Sequence, residues 1–185
     1  KYMWNLDKNR YKDDKFHIIT SAKVTLNFSK HVFLVSQFGL DYDNTNYTTE
    51  ESVTRILPTT AGGSFGYIRE NNSVQNYQSL LNYTNDFKDG NLHLNIYGGG
   101  VYVQRSSSSI GVGTIGGLRF PGWYSLNNQA GTVDNNNFRQ GRSFSRGSDV
   151  MYSALASATL SWKSELIFEA QASQDWNSTL PPSDN

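Results

Sequence analysis

Two carboxylates stand two residues apart in the stretch "FGLDYD", Asp41 and Asp43. In an extended strand, residues i and i+2 share a face, so this pair points one way. Carboxylates so placed accept hydrogen bonds from sugar hydroxyls or hold a cation; the plainer reading is a solvated wall. A second stretch, "FPGWY" (Phe120 to Tyr124), groups rings that stack on a sugar or seat against a protein partner, unless they pack within their own loop. Asp41, Asp43, Trp123, Tyr124 and the adjacent Arg119 are the candidate ligand-binding residues.

Other motifs have the letters of a chemistry without its setting. "GVGTIGG" spells G-x-G-x-x-G at Gly111, Gly113 and Gly116. A dinucleotide site needs a strand before it and a helix after it. Four serines precede this run and Pro121 follows it, which reads as a glycine-rich loop. "GGSFG" spells G-x-S-x-G around Ser64, but nothing nearby predicts the strand–nucleophile–helix elbow that activates such a serine. His17, His31 and His93 are scattered, without the spacing of metal ligands, and cysteine is absent, which excludes thiolate sites and disulfides. The 16 basic and 16 acidic residues balance, so charge gives no case for nucleic acid. No catalytic residue, metal site or cofactor is expected, and the chain reads as a non-enzyme.

The elements that carry these residues are long strands. In "FHIITSAKVTLNFS" (16–29) the even positions Phe16, Ile18, Ala22, Val24, Leu26 and Phe28 are apolar, Thr20 excepted. The odd positions are polar except Ile19. This period-two pattern recurs at 32–43, 74–87, 91–104, 150–162 and 165–176, predicting six strands. Tight turns are expected at "SKH" (29–31), "KDGN" (88–91) and "KSE" (163–165), and long polar loops at about 44–73 and 105–149. Short and long connections alternate, so an up-and-down meander places all tight turns at one end and both long loops at the other.

Strands in soluble domains usually run about 5–6 residues, whereas a tilted strand of about 12–14 covers an apolar band roughly 25 Å tall. No run of apolar residues is long enough for a membrane-spanning helix, but alternation conceals a lipid-facing strand from any average. The pattern therefore predicts an all-β protein: an antiparallel meander of about six long strands, part of a large transmembrane β-barrel. Aromatic residues near the strand ends (Phe16, Phe28, Tyr42, Phe87, Tyr102, Tyr152, Trp162, Trp176) fit two interfacial girdles. The alternative classes are a soluble carbohydrate-binding β-sheet module and a surface-adhesion protein. Both must bury the even-position face against a second sheet.

The two ends of the chain carry a resemblance. "YMWNLDKNR" is similar to the Pro-Tyr-Trp-type segment of SusC/RagA-family TonB-dependent transporters, with Met3 where that family often has proline. "SALASATLSWKSELIFEAQASQDWNSTLP" (153–181) resembles the strand–turn–strand of that family, which ends in an Asp-Trp-Ser-Ser-Thr-Leu-Pro-type motif. Asp175, Trp176, Ser178, Thr179, Leu180 and Pro181 match, and Asn177 departs. The resemblance implies that residues 1–185 are one barrel segment of a 22-stranded, plugged outer-membrane importer, starting and ending in extracellular loops. Nothing in the chain resembles the plug or a TonB box. It further implies oligosaccharide or oligopeptide cargo, a SusD-like surface lipoprotein as partner, energy from TonB, contact with outer-membrane lipid and a Gram-negative, Bacteroidetes-type cell. The 105–149 stretch, basic through Arg105, Arg119, Arg139, Arg142 and Arg146 against Asp134 and Asp149, is expected to touch the lipoprotein or the cargo.

Overall fold

The computed structural model describes residues 9–52, 62–87, 91–131, 142–163 and 165–178. It contains six strands: β1 (Arg10–Asn27), β2 (Val32–Glu51), β3 (Ser64–Phe87), β4 (Leu92–Gly113), β5 (Arg142–Trp162) and β6 (Leu166–Asn177). They form one sheet in the order β1-β2-β3-β4-β5-β6, an antiparallel meander in which sequence neighbours pair. The sheet is open, with β1 and β6 as its edges. No helix among the described residues is long and apolar enough to cross a membrane.

Five of the strands outrun their sequence reading. β3 spans 24 residues, beginning at Ser64, and β4 spans 22, ending at Gly113. The expected loops at 44–73 and 105–149 therefore shrink to connections of 52–63 and 114–141. The cause lies in stretches such as "NTNYTTEE" and "RSSSS", which are polar on both faces. A β-ladder needs only backbone N–H and C=O groups, so pairing continues where the alternation signal has vanished.

The β1–β2 turn is held by Ser29, whose Oγ accepts from the backbone N–H groups of His31 (3.1 Å) and Val32 (3.0 Å). At the β5–β6 turn Lys163 takes a left-handed φ of 51°, and the Glu165 N–H donates to the Trp162 carbonyl at 3.0 Å. The Asp89-Gly90 turn lies outside the described residues.

The chain divides into two compact units; β1 to β5 contribute to both, and β6 belongs to one. One comprises 18–42, 73–106 and 148–185, and contains the β1–β2 and β5–β6 turns. In it the register of β5 on β6 sets Tyr152 opposite Trp176, Ala156 opposite Ala172, Ala158 opposite Ala170 and Leu160 opposite Phe168. The intervening pairs are Ser153–Asp175, Ser157–Gln171 and Thr159–Glu169. One face is thus mostly apolar, with small alanines at its middle and Gln174 opposite Ala154 as the exception, and the other is mostly polar, with Met151, Leu155 and Ile167 as the exceptions. Side by side on the apolar face lie the rings of Phe38 and Tyr77 (4.8 Å between centroids), Tyr77 and Tyr102 (5.8 Å), and Tyr102 and Tyr152 (5.1 Å). The Tyr152–Trp176 pairing continues the row.

Ten residues along each strand from this row stand Phe87 (from Tyr77), Leu92 (from Tyr102), Trp162 (from Tyr152) and Leu166 (from Trp176). Ten residues of strand rise about 33 Å, or about 25 Å along the axis of a sheet tilted near 40°. Nothing among the described residues covers the band between the rows. Val24 is 53% exposed, Phe168 67% and Leu166 64%, and β1 and β6 are exposed almost throughout.

The other unit comprises 1–17, 43–72 and 107–147. It holds the only buried apolar side chains among the described residues, Ile115 and Leu118.

Candidate functional site

The sequence candidates fall in different settings. Asp43 follows Tyr42, the last residue of the apolar row of β2, and is already engaged. Lys15 of β1 forms an ion pair with it, and the Thr45 hydroxyl donates to its Oδ1 at 2.9 Å. The Lys15 ammonium, the Thr45 hydroxyl and, more weakly, the charge of His17 hold the Asp43 carboxyl below the ordinary carboxylate range. Asp41 is exposed and belongs to the other compact unit.

A second acidic clamp was not foreseen. Glu51, at the end of β2, accepts the Tyr11 hydroxyl at 2.9 Å on one oxygen and the Ser64 hydroxyl at 2.8 Å on the other. The hydrogen bond to Glu51, with the charge of that carboxylate, raises the Tyr11 phenol above its usual value. This clamp joins β1, β2 and β3. Ser64 opens a strand rather than sitting between a strand and a helix, so its hydroxyl lacks the setting of a nucleophile. Gly111 and Gly113 end β4, and Gly116 follows in a turn at φ +68°; no helix receives them. His31 Nδ1 lies 3.0 Å from the Thr84 carbonyl and His93 Nδ1 lies 2.6 Å from Asp86 Oδ1.

The residues of the C-terminal motif close the β5–β6 ladder. Asp175 faces Ser153 and Trp176 extends the aromatic row. The Ser178 N–H donates to the Val150 carbonyl at 2.9 Å, while Ser178 Oγ accepts from the Val150 N–H at 2.9 Å. Thr179, Leu180 and Pro181 lie outside the described residues, as does "YMWNLDK" at the start.

The richest construction is the connection after β4. The backbone at 115–118 is tied to 129–131: the Ala130 N–H donates to the Gly117 carbonyl at 2.9 Å, and the Gly131 N–H to the Ile115 carbonyl at 2.7 Å. Leu118 is buried beneath this pair and forms a β-bridge with Gln129. At the centre is Asn128, 2% exposed. Its Nδ2 donates to the carbonyls of Phe120 (2.7 Å) and Trp123 (2.6 Å), and its Oδ1 accepts the Phe120 N–H at 3.0 Å. Its backbone carbonyl takes the Arg119 N–H at 2.7 Å. Ser125 caps the short 3-10 turn, Leu126–Asn128, that delivers Asn128.

This framework fixes a turn, Phe120-Pro121-Gly122-Trp123, from both ends. Gly122 has φ +81°, a conformation glycine alone takes without strain, and a Cβ there would meet nothing within 4 Å. The rings of Phe120 and Trp123 stack at 6.3 Å and 30°, yet are 58% and 56% exposed. The structure therefore leaves Trp123 exposed on a turn held at both ends, with the exposed Arg119 preceding Phe120 and the half-buried Tyr124 following Trp123 in the chain. Arg139 and Asp134 fall outside the described residues, and Asp149 is paired with Arg105 at 3.2 Å.

No protein-family model matches the chain, and no curated protein does. Solved structures do. One described as the RagAB peptide transporter superposes with a TM-score of 0.85 at 11% identity, over 98% of this chain and 20% of that one. The RagAB peptide importer in its 'open-open' state gives 0.82 at 12% identity, over 95% and 19%. The 'closed-closed' state gives 0.85 at 12%, over 98% and 19%. The chain thus spans about one fifth of the length of these neighbours. Along nearly its whole length it has the fold of a stretch of a RagAB transporter chain, so the likeness to SusC/RagA-family transporters read from the two ends of the sequence holds at the level of the fold.

Proposed function

We propose that this chain is part of the wall and outer mouth of a TonB-energised, SusC-like importer in the outer membrane of a Gram-negative, Bacteroidetes-type bacterium. One observation carries the reading. An apolar face, bounded by two rows of large side chains about 25 Å apart along the membrane normal, is covered by nothing among the described residues. Lipid is the solvent that such a face requires, since a continuous apolar surface of this extent in water drives association. The polar opposite face then borders an aqueous lumen. The 52–63 and 114–141 connections are extracellular, because in such barrels short turns are periplasmic and long loops extracellular. A SusD-like lipoprotein covers that mouth, and TonB acts through parts of the protein beyond this segment. The neighbours are described as peptide transporters, which makes oligopeptides the first cargo to assay and oligosaccharides the second.

The decisive measurement uses the full-length protein. Val24, within the 16–28 apolar run of β1, and Thr25, one residue along, differ in face and little else. Val24→Arg is expected to lower barrel stability by about 2–4 kcal/mol, and Thr25→Arg by far less, as read from urea unfolding in lipid vesicles. Equal losses, or recovery of the native protein in a salt wash rather than in detergent, would reject the membrane reading.

A further inference from the structure

We propose that the Phe120–Trp123 turn is a preformed protein-docking knob, inserted into an apolar socket edged by carboxylates on a protein that closes the outer mouth. The inference rests on the outer-membrane reading above and adds to it the anchor residues and the kind of partner.

Three observations lead here. The first is exposure without freedom. Phe120 and Trp123 are more than half exposed, yet the backbone of both is fastened to the buried Asn128, from the Phe120 N–H to the Trp123 carbonyl. A ring pair that served only to fill its own loop would be turned inward, onto Ile115 and Leu118. A tip already fixed in its bound shape loses little conformational entropy on docking.

The second is shape. Small-molecule sites are concave and bury most of their ligand. This turn is the reverse: Phe120, Pro121, Gly122 and Trp123 are all exposed, and the space around Gly122 is open. Each ring also covers part of the other, so neither offers two free faces for sandwiching a sugar. A projecting apolar tip gains burial only where the partner supplies the cavity, and a folded protein surface does so. Tryptophan and phenylalanine seated in partner pockets are typical energetic anchors of protein interfaces, with tryptophan the more enriched.

The third is charge. Arg119 abuts the tip and is exposed, and the stretch that follows contributes the exposed Arg142 and Arg146. Among the described residues between 119 and 148 stand three arginines and no aspartate or glutamate, in a chain of zero net charge. The complementary rim on the partner is therefore acidic.

The test uses the full-length transporter in outer-membrane vesicles and, as probe, the surface lipoprotein that co-purifies with the wild-type protein. Trp123→Ala is expected to weaken lipoprotein binding on the order of 30-fold, the effect of an interface hot spot. Arg119→Glu is expected to slow association and reduce its salt dependence. A photo-crosslinking residue at position 123 should capture the lipoprotein itself. Unchanged lipoprotein affinity in Trp123→Ala, with a crosslink only to the transporter or to added peptide or oligosaccharide cargo, overturns the inference. So does a wild-type protein that sits in the outer membrane and co-purifies with no lipoprotein, although the barrel reading then stands. Failure of the Val24 and Thr25 comparison instead removes the barrel reading, and is read independently of Trp123.

Discussion

Asn128 makes a side-chain amide do what several backbone partners otherwise would. Both amide hydrogens and the carbonyl oxygen are taken up by the turn it encloses, in a position 2% exposed. Its neighbour Asn127 is exposed and uses its backbone N–H to bond the Ser125 hydroxyl. Nothing in "SLNNQAG" distinguishes the two asparagines. Which one faces inward is decided by the 3-10 turn and by the bridge between Leu118 and Gln129, both contacts of the folded loop. The rings were legible as a group, whereas the residue that aims them was not. Asn128→Ala should leave the carbonyls of Phe120 and Trp123 and the Phe120 N–H without that partner, at a cost of about 1–3 kcal/mol per group left buried and unsatisfied. Limited proteolysis of the full-length protein should then show a new cut between residues 118 and 131, while Asn127→Ala stays resistant. Equal resistance in both variants would mean that the turn is held by something other than Asn128.

Strands are legible where one of their faces meets a different solvent from the other. The 16–29, 32–43, 150–162 and 165–176 runs announce themselves by contrast between odd and even positions. The extensions at 44–51, 64–73, 105–113 and 142–149 do not, because both faces there are largely polar. Pairing also imposes needs that no single strand displays. In "IYGGGVY" the three glycines look interchangeable, and their alternation with Tyr102 assigns only Gly98 and Gly100 to the apolar face. The structure separates them. A Cβ on Gly99 would lie 1.9 Å from the Ser79 carbonyl oxygen across the β3–β4 ladder, whereas one on Gly98 meets only ordinary contacts, the nearest at 3.7 Å. The Ser79 oxygen cannot retreat without parting the two strands. Gly99→Ala is accordingly expected to destabilise the full-length protein by about 1–3 kcal/mol, as overpacking does, and Gly98→Ala by about 0.5 kcal/mol or less. Urea midpoints in lipid vesicles compare the two directly. If Gly98→Ala proved the more damaging, the β3–β4 register would be wrong.

A sheet with no second layer poses a solvent problem for the whole molecule. Its buried apolar side chains among the described residues number two, both in the unit with the long connections, so the sheet unit carries its apolar face without a core. That face was legible because period-two alternation survives in sequence. What covers it was not, since lipid, a second sheet and a partner chain all demand the same residues. The single-layer meander and the exposure of Phe28, Leu166 and Phe168 leave no second sheet among the described residues. The edges compound the difficulty, because β1 and β6 each present an unpaired row of backbone groups, which in a closed barrel would be paired by further strands. An isolated 185-residue chain should therefore fail to form a 20.8 kDa soluble monomer. Light scattering after gel filtration should report large assemblies in plain buffer, and their dispersal when detergent coats the apolar face. Heating in buffer should give no cooperative transition, because no packed core is there to melt as a unit. A sharp monomer peak without detergent, joined to a cooperative melt, would contradict this. It would place the even-position side chains against protein and return the chain to the class of soluble sheet modules.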